Sequence, residues 1–162
     1  MSGRIESRLQ ALGLTLPPPL QLPQGTVLPF AMVRVMGGRA LISGHGPQAP
    51  DGAISGPFGW LGQELDVAQG YHAVRLTALS VLGSLQRALG SLDRVQRWGR
   101  ILGMVCSTPE FMQQPAVING FSDLILELYG DERGQHARSA VGMAVLTFGI
   151  PVEIEGEVEI SP

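Results

Sequence analysis

Apolar residues recur at helical spacing in two long segments of the chain. Over residues 67–89 they form one stripe, and a second, polar stripe consists of Ser80, Ser84, Arg87 and Ser91. A second helix is predicted over 115–130, because proline suits a first helical turn and glycine suits a helix end. The two apolar stripes consist of Tyr71, Val74, Ala78, Leu82, Leu85 and Leu89, and of Val117, Ile118, Phe121, Leu124, Ile125 and Leu128.

Strict alternation of apolar and polar residues predicts a strand over 152–160. Its apolar side chains would lie on one face of a sheet, and a row of glutamates would lie on the other. Gly37 and Gly38 separate two further apolar runs, a pattern typical of a β-hairpin. The other predicted strands span 26–35, 39–43, 94–106 and 139–148, and loops are predicted over 44–66 and 131–137.

The first 25 residues differ from the rest of the chain. Residues 4–13 have an amphipathic pattern that predicts a short helix, and the prolines of 16–23 predict an extended linker. We therefore expect an N-terminal helix and linker over 1–25, followed by one domain over 26–162. The element order ββ(β)αβαββ predicts an α+β fold in which two long helices cover one face of a single mixed sheet.

Composition narrows the classes of function. Only 15% of the 162 residues are charged, which favours an oligomer that hides part of its surface. All eleven basic residues are arginine, so a lysine Schiff base and a Walker A loop are excluded. The net charge is −3 and no run of basic residues occurs, so the sequence lacks the basic patch that is typical of nucleic-acid-binding proteins. The single cysteine excludes an internal disulfide, and no segment predicts a signal peptide or a membrane span, so we expect a cytoplasmic protein.

The glutamates of the last strand are the most unusual chemical feature of the sequence, and they allow three interpretations. A solvated outer face is the interpretation that the pattern alone favours. One carboxylate could instead line a cleft as a proton acceptor, or several could hold a divalent cation, which has the weakest support. The four residues are Glu153, Glu155, Glu157 and Glu159.

Three further segments carry candidate binding groups. Arg138 follows a polar loop at the start of a predicted strand, where its guanidinium is either a carboxylate anchor or an ordinary surface group. Ser43, Gly44 and His45 follow a strand, and such a turn either brings backbone groups close to a ligand or only reverses the chain. Asn119 is a poor helix former within the second helix, so it either hydrogen-bonds a neighbouring element or is merely tolerated.

Six short segments carry a resemblance to a known family. They are LISG at 41–44, GYHA at 70–73, LGSLDRV at 89–95, VING at 117–120, ARSAV at 137–141 and VEIE at 152–155. Together they resemble the RidA/YjgF (L-PSP endoribonuclease-like) family over roughly 26–160, in its longer branch with an extra N-terminal helix. The resemblance implies a chorismate-mutase-like α+β fold and a homotrimer with a central barrel, outer helices and ligand clefts between subunits.

The resemblance also implies an activity that needs no cofactor and no metal. This is the hydrolytic deamination of reactive enamines and imines, such as 2-aminoacrylate, to a 2-keto acid and ammonia. Glu153 would be the catalytic residue that positions or deprotonates the attacking water, and Arg138 would grip the substrate carboxylate. The implied substrate-binding residues are Arg138, Ser43, Gly44, His45, Phe30, Ala140 and Asn119, the last of them mainly structural.

Three positions depart from the family pattern. Phe30 stands where tyrosine is usual, His45 where glutamine is usual, and Ala140 where cysteine is frequent. Binding of a small carboxylate is therefore better supported than deamination of 2-aminoacrylate. The alternative is a non-catalytic trimer that binds a small carboxylate or has a regulatory role. A third reading, an endoribonuclease, is opposed by the acidic balance and the absence of lysine.

Overall fold

Five strands and three helices make up the chain, in a computed structural model that describes residues 3–162. In chain order they are α1 (Arg4–Ala11), β1 (Val33–Met36), β2 (Arg39–His45), α2 (Val67–Leu89), β3 (Val95–Cys106), α3 (Gln114–Gly134), β4 (Ala137–Met143) and β5 (Val152–Ile160). The strands form one sheet in the order β1-β2-β5-β3-β4. Strands β3 and β4 are parallel and the other neighbours are antiparallel, so the sheet is mixed as predicted.

Helices α2 and α3 pack together on one face of the sheet, which confirms the predicted α+β arrangement. Their backbones approach closely, because a Cβ atom on Gly120 would lie only 2.3 Å from the carbonyl oxygen of Tyr71. Below them, the ring of Trp98 meets Phe121 and Tyr129 edge to face, at centroid distances of 5.4 and 5.7 Å. Glycine at the crossing and aromatic rings beneath it fix the helices against β3.

The bounds of α2 agree with the predicted range because both helix ends carry local signals. The Asp66 side chain accepts a hydrogen bond from the backbone of Gln69, whose side chain in turn accepts one from the Asp66 backbone. At the other end, Gly90 adopts the left-handed conformation with φ 81°. Each helix end is set by residues that lie within a few positions of one another, so its signal can be recognised in the sequence.

Part of the predicted polar stripe of α2 is buried. Ser80 and Ser84 are buried. Ser84 faces the sheet, where its Oγ lies 2.9 Å from Nε2 of His45 in β2. The proline-rich segment lies along the neighbouring positions Gly83 and Arg87. A Cβ atom on Gly83 would lie 3.0 Å from the carbonyl oxygen of Pro17, and Arg87 Nη1 donates a hydrogen bond of 3.1 Å to that same oxygen. Helix α2 is therefore covered by the sheet on one side and by the linker on another.

Two predicted strands are shorter in the structure. Of the 26–35 prediction only Val33–Met36 is a strand, because the pairing of β1 with β2 stops at Val33 opposite Ile42. Strand β4 ends at Met143 rather than 148, where its parallel partner β3 also ends at Cys106. Both strands were predicted from their apolar residues, and this pattern does not indicate where the neighbouring strand ends.

The end of α3 also differs from prediction. Regular helical geometry breaks at Gly130, where φ is 74°, as the sequence suggested. A further helical turn then resumes and continues to Gly134, so part of the predicted 131–137 loop is helical.

The N-terminal helix docks on the rest of the fold. Ile5 and Leu9 are buried, and the backbone N–H groups of Arg4 and Ile5 donate to the Asp93 carboxylate at 2.6 and 3.1 Å. Glu6 accepts a hydrogen bond of 2.8 Å from the backbone of Leu92. The helix thereby fixes the start of the linker that covers α2.

The sheet face opposite the helices remains open in the single chain. The glutamates of β5 lie on this face, and Val152, Ile154 and Val158 between them are buried against the helices. Apolar side chains are also exposed there, including Leu41, Val141 and Met143. Among residues 3–162, none of the helices has the length and apolar character needed to cross a membrane.

Candidate functional site

A cavity of about 580 Å³ lies between β2, β5, the C-terminal half of α2 and the linker. Four of the predicted site residues line it: Phe30, Gly44, His45 and Glu153. It forms where β2 bulges between Ile42 and His45 as it pairs with β5. Its apolar wall includes Leu20, Leu22, Leu28, Met32, Ile54 and Phe148.

Gly44 allows the Glu153 carboxylate to lie against the backbone of β2. A Cβ atom at position 44 would lie 1.9 Å from Glu153 Oε1, so any larger residue there displaces the carboxylate. Burial raises the pKa of Glu153 above its ordinary value, and the charge of nearby Glu155 raises it further. A carboxylate with a raised pKa is a stronger proton acceptor than an ordinary surface glutamate.

His45 forms the polar floor of this cavity and is neutral at neutral pH. Burial lowers its pKa to about 4, and although a hydrogen bond to the Ser43 carbonyl acts in the opposite direction, the charge of Arg87 lowers it further. Its Nδ1 lies 2.6 Å from that carbonyl oxygen and its Nε2 lies 2.9 Å from Ser84 Oγ. Since a carbonyl only accepts, Nδ1 carries the proton and Nε2 accepts from the Ser84 hydroxyl.

Arg87 extends this polar chain towards the linker. Its Nη2 donates to Ser84 Oγ at 3.0 Å, and its Nη1 donates to the Pro17 carbonyl. Neither Ser84 nor Arg87 was predicted as a site residue, because both belong to the polar stripe of α2, to which the sequence pattern assigns no chemistry. The departure from glutamine at position 45 was the one signal that this region has its own chemistry.

Ser43 faces away from the main cavity. Its hydroxyl donates to the Ala31 carbonyl at 2.7 Å, and its backbone N–H donates to the Met32 carbonyl at 3.0 Å. Ser43 and Phe30 line a shallower depression on the open side, next to Glu155. Ser43 thus holds the chain segment that carries Phe30.

The other predicted site residues gather at the outer edge of the sheet, on β4 and α3. Arg138 Nη1 donates to Asn119 Oδ1 at 2.9 Å and to Ser122 Oγ at 3.0 Å, and Nη2 donates to the Pro115 carbonyl at 3.4 Å. Ala140 lies two residues further along β4 and is partly buried against the core. The predicted hydrogen-bonding role of Asn119 is thereby seen in the structure, and its partner is the predicted carboxylate anchor.

Ser122 and His136 complete this edge cluster and were not predicted. Ser122 Oγ lies 2.9 Å from His136 Nε2, and His136 Nδ1 lies 2.8 Å from the Gly134 carbonyl oxygen. Burial lowers the pKa of His136, as does the charge of Arg138, so the neutral ring accepts from the Ser122 hydroxyl. Their signal was present in the sequence: His136 precedes Arg138 by two residues of strand spacing, and Ser122 follows Asn119 by three residues of helix spacing.

Within one protomer the two clusters do not meet. Strand β3 lies between β4 and β5, with Arg138 beside Ile101 and Glu153 beside Met104. Arg138 turns to α3, whereas Glu153 alternates away from the helix-facing Val152 and Ile154. A single chain therefore presents a carboxylate in a cavity and a guanidinium at a sheet edge as two separate groups.

The part of the chain that the structure describes has no set of side chains arranged to bind a metal ion. Over residues 3–162, no group of three or more histidine, cysteine, aspartate or glutamate side chains is arranged to hold an ion. The outward-facing glutamates of β5 do not converge.

The chain is similar to known proteins and solved structures over almost its whole length. A 42% identical protein, TCP17 of Trypanosoma cruzi, aligns over 161 residues, which is 99% of this chain and 96% of that protein. The crystal structure of Atu1372 from Agrobacterium tumefaciens has 38% identity and a TM-score of 0.86, covering 98% of this chain and 94% of that one. That of Escherichia coli TdcF with bound serine has the same fold, at 19% identity and a TM-score of 0.58, covering 91% and 99%.

The family resemblance noted in the sequence is confirmed by a family model. The model described as "YjgF/chorismate mutase-like, putative endoribonuclease" matches residues 6–150, which is most of the chain. The matched segment contains the hairpin, both long helices and the edge cluster of β4. With this match and 42% identity to a relative over almost its whole length, the chain belongs to the YjgF/chorismate mutase-like family and has its chorismate-mutase-like α+β fold.

Proposed function

We propose that the protein is a homotrimer that hydrolyses reactive enamines or imines of small 2-imino acids in clefts between protomers. The observation that carries this proposal is the separation of two complementary groups in one chain. Glu153 lies in a cavity that contains no second carboxylate, and Arg138 is held ready at an exposed strand edge. Assembly that brings the β4 edge of one protomer to the cavity of the next would complete the site.

The surface of the single chain supports this assembly. The open sheet face carries exposed apolar side chains, and the low charged content leaves few groups that oppose their burial. The family fold implies a central barrel built from three such sheets. Burial of this face between protomers would desolvate the space around Glu153 still further and strengthen its basicity.

Arg138 is arranged to receive a carboxylate. Three of its five N–H groups are engaged, two on Nη1 and one on Nη2. Among the described residues, 3–162, the N–H of Nε and the second N–H of Nη2 have no acceptor. Two such N–H groups form the side edge of a guanidinium, which suits a bidentate carboxylate.

The chemistry needs only water, a base and correct placement. With the substrate carboxylate on Arg138, the electrophilic imine carbon would lie towards Glu153 of the neighbouring protomer. Water adds to that carbon as the C=N π pair moves onto nitrogen, and the Glu153 carboxylate passes the released water proton to that nitrogen, which gives a carbinolamine. Glu153 then takes the proton of the carbinolamine hydroxyl and passes it to the amino group. The C–N bond breaks as the keto C=O forms, a 2-keto acid and ammonia leave, and Glu153 is again a carboxylate.

Mixed oligomers test the proposal directly. Arg138→Gln and Glu153→Gln proteins are co-refolded in equal amounts and assayed on freshly generated 2-aminoacrylate at a concentration far below the raised KM of Arg138→Gln, where each variant alone has little activity. If each site takes Arg138 from one protomer and Glu153 from another, random mixing restores about one quarter of the sites. Ammonia release at the spontaneous rate for both the wild type and the mixture would refute the hydrolase. An active wild type whose mixture stays inactive would refute the shared cleft.

A second candidate function is binding of a small carboxylate without turnover. Phe30 at the cavity mouth has no hydroxyl to orient water, and Ala140 beside Arg138 has no reactive group. Equilibrium dialysis with pyruvate and 2-ketobutyrate, run beside the ammonia assay, separates the two functions. Binding that depends on Arg138 without any ammonia release would select the non-catalytic alternative.

Ribonuclease activity, which the family description mentions, has less support in this chain. The net charge is −3 and no lysine is present, whereas phosphate contacts normally supply most of the affinity for RNA. A salt-dependent shift of a labelled RNA in the presence of the protein would revive this activity.

A further inference from the structure

The cation that shares the Glu153 cavity within one protomer is Arg87, not Arg138. Arg87 belongs to the last turn of α2 and lines the same cavity as Glu153, together with Ser84 and His45. His45 is neutral, so Arg87 and Glu153 are the two charged groups of the lining. The cavity therefore has an anionic group and a cationic group, with apolar wall around them.

The linker that walls this cavity is fixed in place. Gln48 Nε2 donates to the carbonyl oxygens of Pro18 and Gly52, each at 3.2 Å. The backbone N–H of Gln21 donates to the Gly52 carbonyl at 2.9 Å, and Arg87 binds the Pro17 carbonyl. Three separate attachments over five residues hold the segment, so the cavity is a built feature of the chain.

The cavity is larger than a three-carbon acid requires. Its volume of about 580 Å³ lies within the usual range for small-molecule pockets, roughly 300–1,000 Å³. It has room for on the order of twenty water molecules, several times the space that a three-carbon acid displaces. Apolar side chains line part of that room, among them Leu20 and Leu22 of the linker and Ile54.

Arg87 suits the carboxylate of such a ligand. Two of its five N–H groups bind Pro17 and Ser84, and the other three have no acceptor among residues 3–162. Arg87 is exposed as a residue, so these N–H groups are accessible to an anion that enters the cavity. A guanidinium binds a carboxylate through charged hydrogen bonds.

We infer that this cavity binds a monocarboxylate with a branched or aromatic apolar body, with its carboxylate on Arg87 and its body against the linker wall. Glu153 repels a second negative charge, which disfavours dicarboxylates. The binding uses one protomer only and does not depend on the hydrolysis proposed above. An occupant would lie next to Glu153 and would therefore compete with any substrate that uses that carboxylate.

Calorimetric titration of the full-length protein with a graded series of ligands tests the inference. Each buried CH₂ adds about 0.8 kcal/mol, or roughly fourfold in affinity, so 4-methyl-2-oxopentanoate should bind at least about tenfold more tightly than pyruvate. Phenylpyruvate should also bind more tightly than pyruvate. The neutral ketone 4-methyl-2-pentanone, which lacks the carboxylate, should bind at least about tenfold more weakly than the keto acid. Equal affinities across this series would overturn the inference.

Variants separate this site from the hydrolytic one. Arg87→Gln should lower the affinity for 4-methyl-2-oxopentanoate about tenfold or more, because it removes the charge and keeps the length. Arg97→Gln is the matched control. Arg97 is an exposed residue of β3 whose guanidinium pairs with Glu159, so its replacement should leave the affinity for 4-methyl-2-oxopentanoate unchanged. Ala88→Phe, which fills the cavity from α2, should weaken the larger ligand while sparing pyruvate.

The result with Arg138→Gln distinguishes the two proposals. If binding of the larger acid survives this change and is lost in Arg87→Gln, the cavity site stands whether or not ammonia is released. If binding is lost in Arg138→Gln and kept in Arg87→Gln, the cavity site is wrong and the shared-cleft hydrolase is unaffected. Thermal melts of each variant exclude unfolding as the cause of lost binding.

Discussion

The cavity around Glu153 and the cluster around Arg138 hold opposite charges in opposite surroundings. Glu153 lies half-buried beside apolar walls and a neutral histidine, and this burial is what raises its pKa. Arg138 lies at a strand edge and is held by side chains and a carbonyl of α3. A base gains strength from desolvation, whereas a carboxylate anchor gains from fixed geometry and access.

This difference explains why neither region is a complete site. The cavity has volume and a proton acceptor, and the edge cluster has an oriented guanidinium without a cover over it. Placing both in one protomer next to each other would form an ion pair, which would lower the pKa of the carboxylate and occupy the guanidinium. Keeping them two strands apart in one protomer preserves both properties, as the proposed shared cleft requires.

The largest expected effect comes from removing either charged group. Glu153→Gln should lower kcat for imine hydrolysis by roughly 10²–10⁴-fold, the usual contribution of a general base. Arg138→Gln should mainly raise KM, because the amide cannot bind the carboxylate through two charged hydrogen bonds. Steady-state ammonia release over a substrate series measures both constants. Equal kcat and KM changes in the two variants would contradict the division of roles.

The second effect concerns stability in acid and isolates the cavity floor. His45 has a folded pKa of about 4 against an ordinary value of 6.5, so its stabilisation is complete above pH 6.5 and is lost as the pH falls towards 4. From pH 7.5 to pH 5 this costs about 2 kcal/mol of the free energy of unfolding. Urea melts of wild type and His45→Gln at both pH values measure it, since glutamine keeps hydrogen-bonding capacity without a titratable ring.

The charged neighbours of His45 are the reason to compare variant with wild type. Arg87 on α2 stays charged across this range, so it adds no pH dependence of its own. Glu153 on β5 has a raised pKa, so its protonation as the pH falls gains stability and opposes the loss at His45. The difference between the two proteins cancels the glutamate. Parallel pH profiles would show that His45 is not the acid-sensitive group.

How far these regions could be predicted depends on how local their causes are. The bounds of α2 and β5 followed from the apolar stripe of the helix and the strict alternation of the strand, and the family resemblance assigned Gly44 and Glu153 to one cleft. The burial of Ser84 could not be predicted, because its partner His45 lies 39 residues earlier in the chain and no local pattern of α2 reports that contact. The separation of Arg138 from Glu153 follows from the strand order, which no single segment encodes.

A smaller effect is expected from adding a side chain at Gly44, where the Glu153 carboxylate lies against the backbone of β2. Gly44→Ala places a methyl group 1.9 Å from the present position of Oε1, and the flexible carboxylate must swing away. We expect kcat to fall about tenfold with little change in Tm, because a 1 Å misplacement of a catalytic group costs up to roughly 10²-fold. Gly38→Ala is the control, since its nearest atom outside its neighbours is 4.0 Å away. Unchanged kcat in Gly44→Ala would show that the carboxylate position is not critical.

The smallest effect tests how firmly the edge cluster holds its guanidinium. Ser122 accepts from Arg138 and donates to His136, whose Nδ1–H is fixed by the Gly134 carbonyl, so the neutral imidazole directs the serine lone pairs towards Arg138. Ser122→Ala removes one of the guanidinium's acceptors, and Asn119 and Pro115 remain. One such hydrogen bond contributes about 1 kcal/mol net, so KM should rise about fivefold while kcat is kept. Ser139→Ala, exposed on β4, is the matched control. A fall in kcat at constant KM would place Ser122 in the chemistry rather than in the positioning of Arg138.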